Sequence, residues 1–342
     1  MNSHDPQYAA GGDGASVSVA RALARIAIAA FLMAAPATQA QSWRPEKPVE
    51  LLVGSGAGGS NDTMGRHLQR IMQDQKLLPV PVNVINKVGG NQTLVRTYLN
   101  QHAGDAHYFD LGNPTLTVNH IMGISAQHYT DFTPVVLLLN EYAVFTVRAD
   151  SPVRNARDLV DILKKNPEAW SVGVSNLGGT NHLTYTRLAK SVGVDPKKLR
   201  AVVFKSNTEG ITAVLGGHLN MVASAVTSVL PHVRAGTARI IALGAPRRMG
   251  GALAGVPTLR EQGMDIVVSN WRGIVGAKGL SAAQIAYWED VFAKVVAVEE
   301  WGKSLEAQSW DGNFLRSGEF GKYLENDYNQ TRAIMSDLGL AK

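Results

Sequence analysis

The chain has 342 residues, 45% of them hydrophobic and 18% charged, which suits a water-soluble protein large enough for two lobes. It holds no cysteine, which excludes a disulfide framework, a thiolate metal site, a cysteine nucleophile and lipidation of an N-terminal thiol. Lysine and arginine number 33 against 28 aspartates and glutamates, and this excess of +5 is spread without a dense basic run, so no nucleic-acid partner is expected.

Arg21 and Arg25 precede the apolar run 26–35, which Pro36 and Thr38-Gln39-Ala40 follow. Charge, apolar run and small residues in that order describe a secretory signal peptide over residues 1–40, cleaved after Ala40. The run is about half as long as a bilayer-spanning helix requires, which argues against a membrane anchor. The removed segment carries Asp5, Asp13, Arg21 and Arg25, so the mature chain keeps its +5. The product is expected in the periplasm, away from cytoplasmic ATP and NAD.

Beyond the signal, Val49-Glu50-Leu51-Leu52-Val53 lies between Pro48 and Gly54 and reads as a buried strand. A helix is predicted over 61–75, where Met64, Leu68, Ile71 and Met72 recur at helical spacing. Further strands are predicted over 82–85, 108–111, 135–139, 142–147, 171–174, 201–204, 221–223 and 239–243. Helical patterns lie between most of them, notably over 156–165, 183–191 and 209–215. This alternation means an α/β fold with largely parallel sheets. Residues 281–307 and 318–338 read as two long amphipathic helices with no strand between or after them, packing back onto an earlier domain.

Two loops correspond to each other. Gly58-Gly59-Ser60-Asn61 recurs as Gly178-Gly179-Thr180-Asn181, each after a strand and each opening a helix. Glycine permits a sharp turn and close approach of a ligand to the backbone. The first amides of a helix lack internal partners, and the helix dipole adds positive charge there. Each loop is therefore an anion nest in outline. Taken singly, each is equally an ordinary cap; the pairing suggests a cleft that grips one anion from two sides.

Gly54, Gly56 and Gly59 also satisfy the dinucleotide fingerprint. That reading needs an acidic residue at the end of the second strand, and Val82-Asn83-Val84-Ile85-Asn86-Lys87 offers none. No G-x-S-x-G elbow, H-E-x-x-H or P-loop occurs. His182, just inside the second nest, is the histidine placed for chemistry, with a surface or capping role equally open to it; Asp62, just inside the first, reads more as a cap of the helix start than as a base. They leave open a secreted hydrolase using one of them as acid or base.

At these motifs the sequence resembles the extracytoplasmic substrate-binding proteins of tripartite tricarboxylate transporters, the TctC or Bug (Bordetella uptake gene) family. The resemblance runs from Trp43-Arg44-Pro45 through the first loop, Asn113-Pro114 and Asp131-Phe132-Thr133-Pro134. It continues through the second loop with His182-Leu183, Leu215-Gly216-Gly217, Pro231-His232-Val233-Arg234, Val256-Pro257-Thr258-Leu259 and Trp271-Arg272-Gly273.

The resemblance implies a type II periplasmic-binding-protein fold: two α/β lobes joined by two crossing strands, closing over a ligand in the cleft. Lobe 1 would be 41–146 plus 265–342, and lobe 2 would be 147–264. It implies a receptor and no enzyme, without cofactor, catalytic residue or metal. The receptor would be a monomer that delivers a small di- or tricarboxylate or related organic acid to integral-membrane permease subunits. Output to a two-component sensor is the other reading of the same cleft. The ligand would be held mainly by amides and hydroxyls, with little reliance on an arginine clamp. The residues expected to bind it are Ala57, Gly58, Gly59, Ser60, Asn61, Asp62, Asn113, Asn176, Gly178, Gly179, Thr180, Asn181 and His182. The chain departs from the family pattern at Gly54, usually proline, at Lys87 to Thr93, and at Phe204-Lys205-Ser206. These positions lie near the expected cleft and bear on the identity of the ligand.

Overall fold

The computed structural model describes residues 43–175, 177–204 and 206–342; the expected signal peptide with its cleavage point, Asn176 and Lys205 lie outside the described residues. The apolar run after Pro48 forms β1 (Val49–Val53), and the periodic segment after the first glycine loop forms α1 (Ser60–Asp74). Then come β2 (Val82–Asn86), α2 (Thr93–Asn100), β3 (Tyr108–Gly112), α3 (Thr115–Ile121) and β4 (Phe132–Asn140). The middle of the chain supplies β5 (Ala143–Arg148), α4 (Ala156–Lys165), β6 (Ser171–Val174), α5 (Thr180–Ser191), β7 (Arg200–Val203) and α6 (Asn207–Leu215). It goes on with β8 (Met221–Ala225), α7 (Val226–Arg234) and β9 (Ala238–Leu243). The last third holds β10 (Arg272–Ala277), α8 (Ala282–Ala297), α9 (Glu299–Gln308), β11 (Asp311–Arg316) and α10 (Ser317–Asp337).

The strands make two sheets, in the order β11-β4-β10-β3-β1-β2 and β7-β6-β8-β5-β9. Neither is largely parallel, which corrects the expectation from strand–helix alternation. β1 pairs in parallel with β2 and β3, and β6 with β7 and β8. β10 runs antiparallel between β3 and β4, β11 runs antiparallel to β4, and β5 runs antiparallel to β8 and β9. The tail also differs from its reading as two uninterrupted helices. The first run breaks at Val298, and the strand β11 lies before the last helix.

The chain passes between the sheets twice, after β4 and before β10. The two crossings are hydrogen-bonded to each other: Glu141 N donates to Asn270 O at 3.3 Å and Asn270 N to Glu141 O at 2.8 Å. An antiparallel bridge joins Tyr142 to Ser269 beside them. α10 ties both cores together. Its Phe320 and Leu324 pack with Trp271, just before β10, and with Leu52 and Val275 of the first sheet, while Tyr328, Ile334 and Met335 join the cluster of Phe145, Val172 and Tyr185. Among the described residues no helix is long and apolar enough to cross a membrane.

Candidate functional site

The two glycine loops adopt one conformation. Gly58 and Gly178 have φ of 78° and 75°, in the left-handed region that favours glycine. Gly59 (φ −70°, ψ 163°) and Gly179 (φ −75°, ψ 168°) follow as extended N-caps of α1 and α5. A glycine has no side chain with which to cap, and neither helix has a side-chain cap. Their first amides are thus left for a ligand or water. α7 likewise begins at Ala225 without a side-chain cap. Among the other helices, α4 is capped by Asn155, α6 by Ser206 and α8 by Ser281, while α2, α3, α9 and α10 also start without a side-chain cap.

The ends of α1, α5 and α7 meet at a cavity of about 560 Å³, lined by Ser60, by Gly179, Thr180 and Asn181, and by Ala225, Thr227 and Ser228. Asn113 and Thr115 line it beside α3, Asn207 at the start of α6, and Asn91 from the turn before α2. Asn113 Oδ1 accepts from Thr115 N (3.0 Å) and Oγ1 (2.6 Å). Asn181 Nδ2 donates to Asn207 Oδ1 at 3.2 Å, joining two of the helix ends. Asn91 has a φ of 50° and is held there by Asn119, whose Nδ2 donates to Asn91 O (2.7 Å) and whose Oδ1 accepts from Asn91 Nδ2 (2.6 Å). The only charged residues among the described lining are Glu141 and Arg272, which pair with each other at 3.4 Å.

Of the residues expected from sequence, Ser60, Asn113, Gly179, Thr180 and Asn181 line this cavity. Asn176 lies outside the described residues. Ala57, Gly58, Gly59, Asn61, Asp62, Gly178 and His182 are not in the lining, and most have other partners. Asn61 is buried and donates through Nδ2 to Leu111 O at 3.3 Å, tying the first loop to β3. Gly59 N donates to Gly56 O at 3.1 Å. Gly58 N donates to Asp62 Oδ2 at 2.9 Å, and Gly178 N donates to His182 Nδ1 at 3.1 Å. Asp62 and His182 therefore occupy equivalent places, each accepting the amide four residues before it.

The two acceptors differ in how they titrate. Arg66 Nε at 3.0 Å, then the Gly58 amide and Asn86, hold the Asp62 carboxyl down at about 2. Burial pushes the His182 imidazole below its ordinary 6.5. For both groups the native pKa is depressed, so the unfolded state binds more protons and stability is lost on acidification. For Asp62 that loss runs from 3.8 down through about 2; for His182 it begins near 6.5 and continues down through its lowered native value. His182→Gln should therefore flatten the fall in urea-melt stability between pH 7.5 and pH 5.5. Identical slopes for variant and wild type would show that burial does not hold the imidazole below its ordinary value.

Sequence reasoning missed Asn91, Thr115, Asn207, Thr227 and Ser228. Ser206-Asn207-Thr208-Glu209 carried a helix-start signal. The α7 start follows β8 with no glycine to mark it. Glu141, Asn270 and Arg272 were also missed: Arg272 stood in a family motif without a role, β10 was not foreseen, and the crossings were expected at 146/147 and 264/265.

The model of the family described as tripartite tricarboxylate transporter family receptor, TctC, matches residues 65–340, beginning inside α1. A Cupriavidus necator protein called UPF0065 protein in gbd 5′ region is 29% identical, over 95% of this chain and 98% of that protein. The crystal structure of a TctC solute-binding protein from Polaromonas has a TM-score of 0.76 at 25% identity, covering 86% of this chain and 99% of that one. A Rhodopseudomonas palustris protein solved with adipate has a TM-score of 0.72 at 20% identity, covering 87% and 99%. The fold is the two-lobed fold of periplasmic binding proteins.

Proposed function

The chain belongs to the tripartite tricarboxylate transporter receptor family, TctC, whose members are solute-binding proteins and not enzymes, and on that premise we propose that it captures a small carboxylate in the periplasm for a membrane permease. The observation that carries this reading is the convergence of the uncapped starts of α1, α5 and α7 on one cavity. Helix starts offer free amides and positive dipole ends to an anion. Glu141 and Arg272 cancel each other, so the helix ends set the sign of the cavity. The adipate held by a protein of the same fold accords with this, since adipate is a dicarboxylate.

One ligand carboxylate rests on the first amides of α1 beside Ser60, and α5 encloses it through Gly179, Thr180 and Asn181. The two lobes close about the paired crossings at Glu141 and Asn270, a few residues outside the boundaries 146/147 and 264/265 expected from the sequence. Each charge-assisted hydrogen bond contributes about 1.5–3 kcal/mol, and several of them, less the cost of closure, reach the ~8 kcal/mol of a micromolar receptor. Delivery to permease subunits and export by the N-terminal signal rest on family membership and on the sequence.

Thermal-shift screening of a panel of organic acids tests the reading. A ligand at 100 times its Kd adds about 2.7 kcal/mol, which for a chain of this size raises Tm by about 5 °C. A shift with neutral sugars and with no acid would reject it.

A further inference from the structure

The cavity wall carries a carboxylate that the grip on the ligand's own carboxylate does not use. Glu141 sits on the first crossing and lines the cavity at 7% exposure. Its Oε2 accepts from Asn270 Nδ2 at 2.9 Å and from Arg272 Nη2 at 3.4 Å. Arg272 is turned into the crossings. Its Nη1 donates to Asn270 Oδ1 at 2.7 Å, Trp271 O at 3.2 Å and Asn270 O at 3.3 Å. Glu141 Oε1 has no protein donor among the described residues, and it is not one of the sealed-off polar atoms of the interior. The pair is neutral in charge but unequal in hydrogen bonding. What it leaves for a ligand is an acceptor on an anion.

A second ligand carboxylate against that oxygen would bring like charge to like charge with no proton between them. A protonated amine there makes a charge-assisted hydrogen bond. We propose that the ligand is an amino acid in the broad sense, a carboxylate joined to a protonated amine, with its carboxylate on the helix starts and its ammonium on Glu141 Oε1. This rests on the carboxylate reading of the same cavity and narrows it, away from di- and tricarboxylates.

Titration calorimetry on the full chain with matched pairs tests it: 4-aminobutanoate with succinate, 5-aminopentanoate with glutarate, and 6-aminohexanoate with adipate. Leucine and glutamine, each with its des-amino analogue, cover amines next to the carboxylate. At least one amino member should bind about tenfold or more tighter than its partner. Glu141→Gln should remove that advantage. Because Glu141→Gln leaves Arg272 without its partner, the double variant Glu141→Gln/Arg272→Gln repeats the measurement with both charges gone. If neither variant folds, the order of affinities in the wild-type protein decides. A diacid or des-amino acid that binds as tightly as its amino partner in every pair would overturn the inference alone. So would an amino advantage that survives in Glu141→Gln. Failure of every acid to bind, with or without an amine, would overturn the carboxylate reading and the inference with it.

Discussion

Gly179→Val is expected to abolish ligand binding while moving Tm by only a few degrees. At φ −75° and ψ 168° the backbone of Gly179 is extended, a conformation that valine adopts freely. The loss of glycine at the cap costs about 1 kcal/mol. Gly179 lines the cavity beside Thr180, where a carboxylate oxygen must come within about 3 Å of the first amides of α5. A branched side chain takes that space. Losing two charge-assisted hydrogen bonds, about 3 kcal/mol or more together, weakens binding by over a hundredfold.

The equivalent change in the first loop carries a stability cost of its own. A Cβ on Gly59 would lie 3.0 Å from both Gly56 O and Ser55 Oγ, so Gly59→Val distorts the turn and lowers stability by about 1–3 kcal/mol. Thr180→Ala removes one hydroxyl and leaves the amides in place, so it should weaken binding about tenfold at most. Tm without ligand and affinity by calorimetry separate these effects. A Gly179→Val protein that melts far earlier than wild type yet binds normally would show that the glycine serves the turn. Abolition of binding by Thr180→Ala alone would show that side chains hold the ligand.

Arg96→Met should have the largest effect on stability, a loss of about 3–5 kcal/mol and a Tm lower by roughly 6–10 °C. Arg96 and Asp110 are 2% and 0% exposed, with Arg96 Nε donating to Asp110 Oδ2 at 3.3 Å. Burial raises the Asp110 carboxyl above its ordinary value, and Arg96 works against that rise. Without the guanidinium, the native pKa of Asp110 climbs further. A native pKa above the unfolded one means that the unfolded state releases its proton first, so stability falls as pH rises beyond 3.8. The deficit of Arg96→Met should therefore be smaller at pH 4 than at pH 8.

Binding should weaken in the same variant. Arg96 Nη2 donates to Thr115 Oγ1 at 2.8 Å, and Thr115 Oγ1 bonds Asn113, so the pair holds two cavity residues in place. Adding Asp110→Asn removes the orphaned charge and should restore part of the loss in a double-mutant cycle. A single Arg96→Met variant with the wild-type Tm would show that the ion pair adds nothing to apolar packing at this site.

The local physics of the chain was enough to locate β1, β6 and α4 to the residue and to match the two glycine loops. Apolar runs, cap residues and the positive φ of Gly58 and Gly178 act within a few positions of themselves, so a short window of sequence contains their cause. The family motifs, in their order, then carried the two-lobed fold. Other features arise only when distant segments meet. β10 reads Arg-Gly-Ile-Val-Gly-Ala and β11 reads Asp-Gly-Asn-Phe-Leu-Arg, neither with a clear strand pattern; both are strands because β4 offers them an edge. Asp62 reads in sequence chiefly as a cap of its helix start, and His182 equally as a ligand-facing group or a cap; both accept the amide four residues back, a contact made within one loop. The charged wall of the cavity joins Glu141 to residues about 130 positions away, and only the pairing of the two crossings brings them together. Sequence alone thus determined the elements and the anion-binding helix starts. Which side chains face the ligand was decided by contacts whose energy depends on both partners being in place, and no single stretch of the chain contains both.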